Sequence, residues 1–172
     1  AGHERAIALT LLRAFELSLT TVSKRWDIHP EMELSQAPGA HEFRYAVYAH
    51  AGPWHRADVF AEAERLTLPL QPAQAGPHPG DLPKRHSFLA IEPAGLVLSA
   101  LKQSEDGSAL IVRLFNPTDK RIDGIVRCFT RIRSAELVSL EELPLRQLSP
   151  KGRTVPLRVE RKKIVTLRLR LR

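Results

Sequence analysis

Ser99-Ala-Leu-Lys-Gln-Ser-Glu-Asp-Gly-Ser-Ala-Leu-Ile-Val-Arg-Leu-Phe-Asn-Pro-Thr118 reads as a strand, a tight turn and a second strand that stops at Asn-Pro. The glycine in Glu105-Asp106-Gly107 can take the positive φ of a tight turn, so the sequence predicts a hairpin over residues 95 to 116. From His86 onward, short apolar runs are separated by Pro93-Ala-Gly95, Asp106-Gly107, Asp123-Gly124, Pro144, Pro150 and Gly152. That rhythm signals an antiparallel sandwich or barrel. Uneven strand lengths and a helix among the strands favour the sandwich.

Upstream of the hairpin region, Arg5 to Ala14 is an apolar run with a β-branched pair, long enough for one strand buried on both faces. Glu16 to Gly39 has weak periodicity and reads as a long excursion. His41-Glu-Phe-Arg-Tyr-Ala-Val-Tyr-Ala-His50 then alternates, with Phe43, Tyr45 and Val47 on one face, and predicts a strand. Between Trp54 and Leu68 the period changes. Val59, Ala63 and Leu66 recur at helical spacing, with Phe60 beside them, and predict one helix. Gln71-Pro-Ala-Gln-Ala-Gly-Pro-His-Pro-Gly80 is linker chemistry. The expected organisation is therefore strands, loop and helix over residues 5–70, a Pro/Gly-rich linker over 71–85, and a C-terminal sandwich portion over 86–172.

Composition narrows the class. At 172 residues, 43% hydrophobic and 26% charged, the chain suits a globular domain with a sizeable core. It holds no run of about 18 apolar residues, and Ala1-Gly-His-Glu-Arg5 does not resemble a signal sequence. Cys128 is the single cysteine, so no internal disulfide or cysteine-based zinc site can form, which favours a reducing, cytoplasmic setting. It lies in the apolar run Ile125–Phe129 and reads as a buried small hydrophobe. The proline in Asn116-Pro117-Thr118 blocks glycosylation there.

Much of the net charge of +7 sits at the C-terminus, where Leu167, Leu169 and Leu171 alternate with Arg168, Arg170 and Arg172. This is the pattern of a half-buried strand with an arginine comb on its solvent face. The comb suits phosphates or an acidic protein surface. The low aromatic content of 6%, with none in that segment, argues against base stacking and hence against nucleic acid.

Several of these stretches, in this order, resemble the C-terminal β-domain of family 38 glycoside hydrolases, the retaining α-mannosidases. They are Ile7-Ala-Leu-Thr-Leu-Leu-Arg13, Gly39-Ala-His-Glu-Phe-Arg-Tyr-Ala-Val-Tyr-Ala-His-Ala-Gly-Pro-Trp54, Leu66-Thr-Leu-Pro-Leu70, Phe88-Leu-Ala-Ile-Glu92, the Ser99–Thr118 hairpin, Ala135–Glu142 and the last strand through Thr166-Leu167. The resemblance implies a mainly β fold, an antiparallel β-sandwich of galactose mutarotase-like supersandwich type with one short helix. It also implies that chemistry lies elsewhere. Members hydrolyse α-mannosides through an aspartate nucleophile and a zinc ion on a separate catalytic domain, whose motifs have no counterpart here. The chain is thus expected to be non-catalytic and to carry no cofactor, with zinc on the missing catalytic domain. It would pack on that domain and help wall its cleft. Upstream strands are expected to be missing too, and exchange of the Ile7–Leu12 strand between copies leaves an oligomer open.

His41, His50 and His55, near Glu42 and Asp58, suggest a zinc site, but on a strand His41 and His50 face opposite ways, so no metal is expected. Glu92 and Glu141-Glu142 read as solvated carboxylates and not as a glycosidase pair, so no catalytic residue is assigned. Arg13, Trp26 and His41, which bracket the long excursion, are the candidates for substrate contact, because an indole face and a guanidinium are what sugars engage. Two other readings stand beside the α-mannosidase domain. One is an autonomous carbohydrate-binding module, and the other is a basic domain for nucleic acid or an acidic partner. No membrane partner is expected.

Overall fold

Among the described residues, eight strands form: β1 (Leu89–Glu92), β2 (Val97–Gln103), β3 (Leu110–Phe115), β4 (Ile122–Cys128), β5 (Ile132–Val138), β6 (Pro144–Leu148), β7 (Thr154–Val159) and β8 (Ile164–Leu171). The computed structural model describes residues 6–14 and 35–172, in two units, 1–47 and 48–172, each taken by itself. All eight strands lie in the second. They build a three-stranded sheet of order β1-β4-β7 and a five-stranded sheet of order β2-β3-β8-β5-β6, and every pairing is antiparallel.

Side-chain alternation dictates how the sheets meet. Val126 and Cys128 of β4, with Val155, Leu157 and Val159 of β7, are buried, whereas Asp123, Ile125, Arg127, Pro156 and Arg158 between them are exposed. From the larger sheet come Val112, Leu114, Ile132, Ala135, Leu167 and Leu169, and both sets join one core. Two apolar faces closing on each other make a β-sandwich. Each fully buried aliphatic side chain contributes about 1.5–3 kcal/mol, so this seam holds the fold. Gly124 is where backbone approaches most closely. A Cβ there would overlap Leu96 Cδ1 and lie 2.7 Å from the Glu92 carbonyl oxygen.

The hairpin forms as the sequence predicts. Lys102 pairs with Ile111 and Gln103 with Leu110, and Gly107 takes φ 71° in the turn. The Ser104 amide donates to the Ala109 carbonyl at 2.8 Å, and the Asp106 carboxylate accepts from both the Ser104 and Ser108 hydroxyls. These donors, led by the Ser104 hydroxyl, push the Asp106 carboxyl far below the usual carboxylate range. Cys128 is buried in the core, and that burial raises its thiol pKa.

Two expected strands are corrected. Residues 6–14 form no strand, and Ile7, Leu9, Leu11 and Leu12 are exposed. Residues 41–50 form none either, and Val47 is 90% exposed. A strand exists only within a ladder, and alternation without a partner strand leaves its amides to water. Residues 15–34, most of the expected excursion, lie outside the described residues. The expected helix is present as α1 (Val59–Thr67), preceded by a 3-10 turn at Trp54–Arg56. Val59 and Phe60 are half-buried, while Ala63 and Leu66 of the same stripe are exposed. Residues 69–88 carry no helix or strand. Among the described residues no helix is long and apolar enough to cross a membrane.

Candidate functional site

The α1 cavity lies where β1 and β2 are edge strands of the two sheets, and it encloses about 380 Å³. Ile91 of β1, the turn at Ala94–Leu96 and Val97 and Leu98 of β2 form its apolar floor, and Trp54, His55, Asp58, Glu64 and Arg65 bring polar groups to it. An aromatic chain fastens the helix. Phe60 meets Phe115 of β3 edge-on at 5.0 Å between ring centres, and Trp54 meets Phe60 at 6.0 Å. Such edge-to-face pairs contribute about 0.5–1.5 kcal/mol each beyond their buried area.

Lys162 holds the indole from another element. Its Nζ lies 5.2 Å from the Trp54 ring centre, donates to the Pro117 carbonyl at 2.7 Å and pairs with Asp119 at 3.1 Å. The pairing with Lys162 in turn lowers the Asp119 carboxyl pKa. The neighbouring Asn116 explains why Pro117 sits where Lys162 can reach it. Asn116 is fully buried, and its Nδ2 donates to the carbonyls of Lys120, Val159 and Glu160 at 2.7, 3.1 and 3.2 Å. Its Oδ1 accepts from the amide and hydroxyl of Thr118 at 2.9 and 2.8 Å. One amide side chain thus ties the β3–β4 loop to the β7–β8 loop.

Asp58 precedes α1 in the left-handed region, at φ 50° and ψ 29°, and makes no side-chain hydrogen bond to the helix end. An Asp at this position ordinarily lies in extended backbone and caps the helix, contributing about 0.5–2 kcal/mol. Here that stabilisation is forgone, and a non-glycine residue in this conformation adds a cost of order 1 kcal/mol.

On the outer face of the larger sheet, strand register aligns Lys102, Ile111, Arg168, Glu136 and Gln147 in one row. The β5–β6 loop folds over the row. Arg113 donates to the Leu140 carbonyl at 3.2 Å, Arg168 to the Glu142 carbonyl at 2.8 Å, and Lys102 pairs with the Glu142 carboxylate at 3.0 Å. The Glu105 amide donates to that carboxylate at 2.9 Å and, with Lys102, lowers its pKa, while Glu105 and Glu142 raise that of Lys102. Two expectations are corrected here. Glu142 is buried, with a side chain 4% exposed, and Arg168 is half-buried between Glu136 and Glu142. Only Arg170 and Arg172 remain on the exposed comb. The loop turns back over its own sheet, and this encloses both groups.

Of the predicted contact residues, Arg13 and His41 are exposed and Trp26 lies outside the described residues. The His41 Nε2 hydrogen-bonds with the Ala37 carbonyl at 2.9 Å, and its ring stacks on Phe43 at 6.1 Å. Among the described residues no three His, Cys, Asp or Glu lie together so as to hold a metal ion. Periodicity located Trp54 beside the helix but missed the cavity, because Ile91, Leu98 and Pro117 come from distant sequence. A Trp four residues before an Asp that opens a helix is the one local signal.

Residues 95–167 match the family model described as the C-terminal beta sandwich domain of glycosyl hydrolases family 38, covering β2 to β7 and half of β8. No curated protein matches the chain.

Proposed function

We propose that the chain, whose residues 95–167 match the family 38 C-terminal β-sandwich model, is the non-catalytic C-terminal part of a retaining α-mannosidase. In this reading it packs on a zinc-dependent catalytic domain of the parent protein and walls part of its cleft. The single observation that carries the reading is the family match, which coincides with a two-sheet sandwich whose core comes from both sheets. The site chemistry agrees with it. The charged row on the outer sheet face pins the β5–β6 loop, a structural use of its charge. Arg13, Trp26 and His41 are the residues we assign to sugar contact in the parent, and cytoplasmic residence is the setting that a lone buried cysteine favours.

Hydrolysis of an aryl α-mannoside with added zinc, run side by side on this chain and on the full-length parent, tests the proposal. Activity in the parent alone is expected. Activity in this chain, or in neither, rejects it. In the parent, Ala at position 13, 26 or 41 is expected to lower kcat/KM.

A further inference from the structure

We propose that the α1 cavity binds a neutral pyranose, with Trp54 as its stacking surface and Asp58 as its main hydrogen-bond acceptor. The choice of a mannoside as first probe rests on the proposed function, whereas the site rests on its own geometry.

Trp54 is oriented and yet left open. Lys162, itself anchored by Asp119 and the Pro117 carbonyl, sits over the indole, and Phe60 meets it edge-on, but the residue stays 41% exposed. Trp54 is held in a fixed attitude at the wall of a cavity. Asp58 is the second observation. It lines the same cavity in left-handed backbone, does not cap its helix, and among the described residues its carboxylate has no hydrogen bond or ion pair. Strained backbone of this kind clusters at functional sites.

The two groups match the two faces of a sugar ring. The axial C–H bonds carry slight positive charge and pack on the electron-rich indole, while neighbouring hydroxyls donate to a carboxylate. Ile91, Leu98 and Pro117 give the apolar wall, and His55 and Glu64 add polar reach at the rim. An anion would meet the unpaired Asp58 charge, and a purely apolar ligand would strip water from it without replacement. The volume, about 380 Å³, lies at the small end of ligand sites, which suits one or two sugar rings.

The 172-residue chain, titrated with methyl α-D-mannopyranoside and then methyl β-D-glucopyranoside, tests this by amide and indole NMR shifts. Saturable binding near millimolar strength is expected for at least one of them, with shifts confined to residues 54–65, 91–98 and 117. Trp54→Ala should abolish it, and Asp58→Asn should weaken it about tenfold or more, a loss equal to about 1.4 kcal/mol, with Tm held or raised. No saturable shift, shifts confined to other residues, or wild-type affinity in Asp58→Asn overturns the site. Because Asp58→Asn leaves the packing untouched, this arm decides even if Trp54→Ala fails to fold. A glucoside that binds at Trp54 while the parent hydrolyses no mannoside would keep the site and reject the proposed function.

Discussion

Thr154–Val159 and His41–His50 both alternate apolar and polar residues, and they end up in opposite circumstances. The first lies beside β4 and buries Val155, Leu157 and Val159; the second forms no strand and leaves Tyr45 63% and Val47 90% exposed. Alternation determines which side chains share a face, and a partner strand determines whether that face exists. In β7 the partner supplies both the ladder and, through β4, an inner surface continuous with the opposite sheet. This difference makes the alternating segment at 41–50 the place where the rest of a larger β-region would show its effect.

The largest expected contrast is a pair of truncations. Leu167→Ala empties a fully buried site in the seam between the sheets and should cost about 2–5 kcal/mol. Val47→Ala should change stability by no more than about 0.5 kcal/mol, because its side chain has nothing to lose. Urea unfolding of both variants checks this, and similar midpoints would mean that the two regions are not so unlike. Next comes Asn116→Ala, which strands the Lys120, Val159 and Glu160 carbonyls now served by Nδ2. A buried unpaired polar group costs about 1–3 kcal/mol, and the same melt should show that loss. It should also loosen Lys162, so the Trp54 emission should shift.

A pH series sharpens the contrast further. Glu142 has its carboxyl pKa lowered, first by the Glu105 amide and then by Lys102. The folded state therefore binds fewer protons than the unfolded chain as pH crosses that range. Its contribution is full above the ordinary glutamate value of about 4.3 and is lost as pH falls through the lower folded value. The Tm gap between wild type and Glu142→Gln should be widest above about pH 5 and close as the medium turns more acid than about pH 4. A gap that does not vary with pH would show that the charge of Glu142 does not hold the loop.

Much of the sandwich was legible because its turns are written in local residues. Asp106-Gly107 places a strand end that one segment decides alone, and the Leu167–Leu171 alternation assigned the inner face of β8 correctly, whereas Asp123-Gly124, expected to break the chain between strands, lies inside β4 and pairs with Arg158 and Leu157 of β7. What was not legible depends on residues far apart in sequence. Arg168 looked like a tooth of a solvent comb, and Glu142 like a surface carboxylate. Only the register that puts Lys102, Arg168 and Glu136 in one row, with the β5–β6 loop folded over it, covers them. For the same reason the α1 cavity, assembled from residues 54–65, 91–98 and 117, left only Trp54 visible in the sequence.

The central proposal, that this chain is one portion of a larger β-structure, is tested most directly by hydrogen exchange over residues 43–49 in the isolated chain and in the full-length parent. The account predicts rapid exchange in the chain and at least about tenfold slower exchange in the parent, where a partner strand would engage those amides. Equally rapid exchange in both, or slow exchange in the chain alone, would contradict it.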